Sequence, residues 1–451
     1  MKRKVERVER SENSFCRDHG RAADPGPLVM KFGGTSVGSG QAFVRAAGTV
    51  AAEASTRPTA VVVSAMSGVT DTLLAAAQAT LGATNRTKTG ATLEGSLAEL
   101  HRSLYDRHLQ AAREAVGSEL LPGVEAGICA LLANLTGSLT GGLHACEEAR
   151  TAEIVVHGER LSACILSAAI ASRGIPAEVA EDPIATDSAF EEAEVEVEKT
   201  RVRCTSNVRS VLERGSVAVV AGFVGRDGEG RCTTLGRGGS DLSATVIGRG
   251  IGAAEVWILT DVSGVLDADP RLVGDAATLP VMSYREAHLF AGMGAKVLHH
   301  RTMEPAAAAN LAVYVKNSFE PQKAGTLISS RECGAGVRSV ALRRGLSLRR
   351  SDVPGEAFCV LGCGGDGVLS LVEAGEKSAG EVAAIVGIGS PTDRDLLSGL
   401  RSLLEAGIGH RWVGNTSSGV AFVVDAGDAT DALRVLHASL LGRGAKIEVS
   451  A

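Results

Sequence analysis

Short apolar runs, each closed by glycine or hydroxyl residues, set the frame of this chain. Leu28-Val29-Met30 leads into Lys31, Ala60-Val61-Val62-Val63 into Ser64, and Val217-Ala218-Val219-Val220-Ala221 into Gly222. Val256-Trp257-Ile258-Leu259 and Leu311-Ala312-Val313-Tyr314-Val315 repeat the pattern. Runs of this length, continuous rather than alternating, read as strands covered on both faces. Between them the apolar spacing is helical: over 37–54, after Thr70 (expected as an N-cap), over 87–152, over 163–171 and from Asp241 to about Gly248. Residues 174–182 read as a strand and turn, and the acidic–valine alternation over 191–198 as a solvated edge. Strand–loop–helix units in series indicate an α/β fold, in which ligands bind at the carboxyl ends of the strands.

Beyond Cys333 the texture changes. A strand over 381–387 precedes Thr392-Asp393-Arg394-Asp395, a capping-box pattern that opens a helix carrying Leu396, Leu397, Leu400, Leu403 and Leu404. Gly407 ends that helix; strands near 411–414 and 420–424 and a helix over 429–441 follow. The β-α-β-β-α order indicates a small α+β module of the ferredoxin-like kind. Between Gly336 and Gly380 there is room for strands but no amphipathic helix. Residues 1–27 are polar and rich in Arg and Glu, as expected of a disordered extension. They contain no apolar core of a signal peptide, and Glu6, Glu9, Glu12 and Asp18 argue against a transit peptide. The expected organisation is therefore an extension (1–27), a large α/β unit (28–330) and a smaller α+β region (335–451) whose second unit spans about 381–445.

Composition narrows the function classes. At 451 residues, 45% hydrophobic and 22% charged, the chain has the make-up of an ordinary globular protein. A net charge of −6 argues against a nucleic-acid partner, and no apolar run reaches the roughly 18 residues of a membrane span. The nine cysteines are scattered without a framework, which suggests reduced thiols and a cytoplasmic setting; no metal site is expected from them or from His299-His300.

The candidate chemistry starts at Lys31-Phe32-Gly33-Gly34-Thr35-Ser36. Paired glycines let a backbone approach an anion, while the lysine and hydroxyls supply charge and donors. In the Walker pattern the lysine follows the glycines; here Lys31 precedes them. Four further stretches join it: Gly158-Glu159-Arg160-Leu161-Ser162, the run from Thr234 through Gly236-Arg237-Gly238-Gly239-Ser240-Asp241, Thr260-Asp261-Val262 with Asp269-Pro270-Arg271, and Gly294-Ala295-Lys296-Val297-Leu298-His299. Together these resemble aspartate kinase, densely over about 29–328 and more loosely over a C-terminal ACT-like region.

The resemblance implies an amino-acid-kinase three-layer α/β/α sandwich, ATP with Mg2+, and phosphorylation of the β-carboxylate of L-aspartate. That carboxylate, with a pKa of about 4, is ionised at neutral pH and needs no general base. The work left is to neutralise, align and stabilise moving charge. By similarity, Lys31 and Lys296 flank the transferred phosphoryl group, Gly33 and Gly34 give backbone donors, and Arg237 holds the α-carboxylate as a fork. Glu159 and Asp241 are acceptors for the substrate ammonium or for a catalytic lysine. Thr70, Phe223 and Ser240 match substrate-side positions; Thr260, Asp261, Leu266 and Arg271 match the nucleotide side. Leu266 stands where the family usually has tyrosine, and His299-His300 where it has His-Pro.

Rival expectations are a glutamate or acetylglutamate kinase of the same superfamily, a silent regulatory homologue, and a dehydrogenase. Both lysines, Arg237 and Asp241 argue against silence, and the lack of G-x-G-x-x-G after a first strand argues against the last. With the chain ending in the ACT-like region, a fused homoserine dehydrogenase is not expected. A homodimer or higher homo-oligomer is expected, with lysine or threonine as possible effector. The short first ACT unit and Asn415-Thr416-Ser417-Ser418-Gly419 suggest a weak response to lysine.

Overall fold

The computed structural model describes residues 26–84, 90–141, 146–294, 299–351, 359–364, 367–373, 381–416 and 419–442. Residues 1–25 of the expected extension, Lys296 and the 352–358 stretch lie outside them. In chain order the strands are β1 (Leu28–Phe32), β2 (Thr59–Val63), β3 (Ala177–Val179), β4 (Val217–Ala221), β5 (Val224–Arg226), β6 (Cys232–Thr234), β7 (Glu255–Thr260) and β8 (Val281–Ser283). Then come β9 (Ala312–Asn317), β10 (Thr326–Ser329), β11 (Gly336–Ser351), β12 (Cys359–Gly364), β13 (Gly367–Glu373), β14 (Val382–Ser390), β15 (Trp412–Thr416) and β16 (Gly419–Asp425).

Eight strands form one sheet in the order β3-β4-β2-β1-β7-β9-β10-β8. From β3 to β9 every pairing is parallel; β10 turns antiparallel to β9 and β8 runs parallel to β10. The continuous apolar runs have the burial expected of them: every residue of β1, β2 and β4 is buried. Alternate side chains feed two cores. Leu28, Met30, Phe32, Val61 and Val63 pack with the helices Gly40–Ala54 and His157–Ala171, among others. Val29, Ala60, Val62, Val256 and Ile258 pack on the other face with Gly239–Ile251 and Tyr284–Gly292. This is the expected three-layer sandwich.

Two sequence expectations change in detail. The helix after β2 is Val69–Thr84, so Thr70 sits inside its first turn, not at the N-cap; Gly68, at φ +79°, supplies the left-handed entry. Helices Glu147–Val155 and His157–Ala171 run nearly end to end, and that 25-residue stretch is long and apolar enough to cross a membrane. Its side chains are mostly buried against the sheet and neighbouring helices, so it is a core element here.

The remaining strands form an antiparallel sheet, β12-β13-β11-β14-β16-β15. From β14 the order is strand, helix Asp393–Glu405, β15, β16, helix Ala429–Leu440, which is the expected β-α-β-β-α. The Asp395 carboxylate accepts from the Thr392 N–H at 2.7 Å and its hydroxyl at 2.8 Å, closing the capping box. Among the described residues, 336–373 form β11 to β13 and no helix. One face of this sheet continues the large unit's core: Ala341, Leu346 and Ile388 share a buried cluster with Tyr284, Ala287 and Phe290.

Candidate active site

The loops after β1, β2 and β4 and the turn after β6 converge at the carboxyl ends of the parallel strands. A cavity of about 390 Å3 lies there, lined by Lys31, Gly34, the Ser64–Asp71 loop, Glu159, Phe223 and the Gly236–Asp241 turn. Two helices, Val69–Thr84 and Gly239–Ile251, begin at its wall. Helix N-termini carry unpaired N–H groups and a partial positive charge, suited to anions. The backbone has to be glycine in the tightest places. Gly238 has φ +72°, and an added Cβ would lie 2.3 Å from the Cβ of His299; at Gly34 it would lie 3.0 Å from the Ala65 carbonyl oxygen.

Lys31, at the end of β1, places its Nζ 2.7 Å from Oδ1 of Asp241 in the first turn of Gly239–Ile251. Both side chains are largely shielded, at 11% and 14% exposure, and both line the cavity. Arg237 is exposed at the same wall, and no carboxylate pairs with it among the described residues. Glu159 is the opposite case. It is buried, and desolvation raises its carboxyl to about 8, against the pull of the Ala65 N–H that donates to Oε1 at 3.2 Å. Its Oε2 has no hydrogen-bond partner, so this wall offers an unsatisfied acceptor. Phe223 holds a left-handed backbone, φ 69°, rare for an aromatic residue and costing on the order of 1–3 kcal/mol. The Ser243 hydroxyl fixes it by accepting the Phe223 N–H at 2.9 Å, and the ring then lines the cavity.

Of the expected substrate-side and catalytic residues, the structure brings together Lys31, Thr70, Glu159, Phe223, Arg237, Ser240 and Asp241 around this one cavity. Gly33 differs from its expected role: its N–H donates to the Leu259 carbonyl at 3.2 Å, extending the β1–β7 ladder, so Gly34 is the glycine at the wall. The expected nucleotide-side residues stand apart from it. Thr260 ends β7 and donates its hydroxyl to Asp261 at 3.2 Å; Leu266 bridges to Thr278; Arg271 forms a two-pronged pair with Asp269. None of these four lines the cavity. Sequence reasoning passed over Ser64, Ser67 and Asp71, which do, although the loop bearing them was recognised. It also missed Ser318, whose hydroxyl accepts from Ser36 at 2.8 Å and whose N–H donates to the Thr260 carbonyl at 2.7 Å. That links the glycine turn to the end of β7, and nothing in the sequence around Ser318 marks it.

A parallel sheet with a lysine–aspartate pair, an exposed guanidinium and two helix N-termini at its carboxyl edge offers cations and backbone N–H groups to an anionic ligand. The chain belongs to the amino acid kinase family, whose profile matches residues 26–317. It is 32% identical over 324 residues to lysine-sensitive aspartokinase 3 of Escherichia coli, covering 71% of this chain and 68% of that one. It is also 32% identical over 304 residues to an aspartokinase of Chlamydia muridarum, covering 67% of this chain and 63% of that one. The matched part is thus about two thirds of these relatives' length. In structure it resembles E. coli aspartokinase III in complex with aspartate and ADP, with a TM-score of 0.74, 26% identity and coverage of 92% of this chain and 99% of that chain. The same enzyme with lysine and aspartate gives a TM-score of 0.72 at 25% identity, over 92% and 99% of the two chains.

Proposed function

We propose that this protein is an aspartate kinase, transferring the γ-phosphoryl group of ATP to the β-carboxylate of L-aspartate. The observation that carries the reading is the single cavity holding Lys31 against Asp241, a free Arg237 and a buried Glu159 with an orphan oxygen. An amino acid with two carboxylates needs one charged partner for each end. Arg237 suits the α-carboxylate by its planar fork, and Glu159 gains a partner in the ammonium, which draws the buried carboxyl toward its ionised form. The β-carboxylate then lies toward Lys31, whose ammonium, oriented by Asp241, stabilises charge on the phosphoryl oxygens as they move. Lys296 acts from the opposite side of that group in this reading.

Thr260, Asp261, Leu266 and Arg271 form the nucleotide side. Magnesium keeps several waters and takes one or two carboxylates beside substrate phosphates. Asp71 and Asp241, both cavity-wall carboxylates, would hold such an ion, which would lower the negative charge of the substrate phosphates. Residues 28–330 form the catalytic unit and 335–451 the regulatory one, the latter supporting a homo-oligomer and an amino-acid effector. Cys129, Cys146, Cys164, Cys204, Cys232 and Cys333 are free thiols, in keeping with a reducing, cytoplasmic setting. The deciding experiment is ATP-dependent hydroxamate formation with L-aspartate and with L-glutamate.

A further inference from the structure

His437 and Asp267 form a buried polar pair that the reaction does not use. His437, in the helix Ala429–Leu440 of the C-terminal unit, places Nε2 3.2 Å from Oδ1 of Asp267, 170 residues earlier, and each side chain is only 2% exposed. Asp267 sits in the segment after β7, one residue from Leu266. It is pinned at several points: Oδ1 also accepts the Ala277 N–H at 3.0 Å, and its carbonyl accepts the N–H of Val340 in β11 at 2.8 Å. The same segment is held twice more by the C-terminal unit. Ala268 and Val273 lie in one buried cluster with Val340 and Leu433, and Arg434 donates to the Leu272 carbonyl at 2.9 Å. The stretch carrying Leu266 and Arg271 is thus folded onto the C-terminal helix and strand as well as onto its own unit, where the Val265 N–H donates to the Thr326 hydroxyl at 2.8 Å.

We propose that His437 is a positioning residue for nucleotide binding: through Asp267 it fixes the segment that presents Leu266 and Arg271, so nucleotide affinity depends on the C-terminal unit. This rests on the reading of that segment as the nucleotide side. Asp267 keeps the Ala277 N–H on Oδ1 when His437 is removed, but it loses its side-chain tie to the C-terminal helix. The segment is then free to shift on that helix, and Leu266 and Arg271 shift with it. Substrate-side groups, on β1, β4 and Gly239–Ile251, are held by the large sheet and stay in place.

The test is calorimetric titration of the full chain with ADP plus magnesium and, separately, with L-aspartate. H437L weakens ADP binding about tenfold and moves aspartate affinity less than twofold, while H437Q, with an amide N–H at similar reach, restores ADP to within about threefold. Amide exchange at Ala277 accelerates in H437L and not in H437Q. Where H437L does not fold, H437N, polar but too short to span the gap, takes its place. Unaltered ADP affinity in the folded variant overturns the proposal, as does a parallel loss of ADP and aspartate affinity with no rescue by H437Q. An unaltered chain that binds neither ADP nor aspartate overturns the functional reading and this proposal with it.

Discussion

Replacing Lys31 with alanine removes the ammonium that the cavity is built around and leaves Asp241 facing it alone. Lys31 is a preorganised donor: its Nζ is held 2.7 Å from Asp241 and 11% exposed, so it does not reorganise when charge develops beside it. Deleting one such donor typically costs about 10²–10³ in kcat, or ~2.7–4 kcal/mol. Stability suffers less. Breaking a fully buried pair costs about 3–5 kcal/mol, but here the partner opens onto a cavity that water refills, so ~1–2 kcal/mol is expected. The assay is steady-state turnover of purified K31A with saturating ATP and L-aspartate, beside a thermal melt. D241N, which keeps the shape and loses the charge, should lower kcat by a smaller factor, since Lys31 keeps its own charge. A folded K31A with near-normal kcat would refute the reasoning, because the phosphoryl charge would then be stabilised elsewhere.

Four further outcomes follow from the structure. R237K keeps the charge but not the planar fork, so the aspartate KM rises tenfold or more while the ATP KM changes little; the reverse split would put Arg237 on the wrong side of the reaction. Glu159 gives a pH signature: with its carboxyl raised to about 8, it is protonated at pH 6.5 and cannot meet an ammonium. The aspartate KM should therefore fall by about three- to tenfold between pH 6.5 and 8.5, and E159Q should flatten that slope. The same shift has a stability sign. An acid whose pKa is raised by folding binds more protons folded than unfolded, so stability falls as pH rises through roughly 4.5 to 8, and chemical denaturation of E159Q should lack that fall. Titrating lysine and threonine against initial rate should show weak inhibition, because β11 to β13 are not followed by a helix within the described residues up to Glu373; strong inhibition by sub-millimolar lysine alone would show that the shortened unit still forms an effector site.

What the sequence made legible was whatever is encoded locally. Buried strands such as Ala60–Val63 and 217–221 announce themselves by unbroken β-branched runs, and the Gly236–Asp241 turn by glycines that no other residue could replace. The substrate-side residues were readable through the resemblance of the motifs that carry them, for locally Thr70, Glu159, Ser240 and Asp241 are residues of helix first turns. What stayed hidden depends on distant partners. Thr70 looks like a cap because threonine caps helices, yet Gly68 turns the chain so that the helix starts at Val69. Gly33 looks like a phosphate donor, but its N–H is claimed by Leu259, a residue from a strand that pairs only in three dimensions. The Ser36–Ser318 and Asp267–His437 contacts join positions 282 and 170 residues apart, and Ser318, Asp267 and His437 do not stand out in their own neighbourhoods.

The central claim is that this cavity phosphorylates the β-carboxylate of L-aspartate, and the most direct measurement traps the acyl phosphate with hydroxylamine. With ATP and magnesium, the full chain should form aspartyl hydroxamate in proportion to enzyme. The extra methylene of L-glutamate should lower efficiency roughly 10–200-fold, the range that one methylene commands in a fitted site. Hydroxamate from glutamate in preference to aspartate, or none from either with folded enzyme and saturating ATP, would contradict the account.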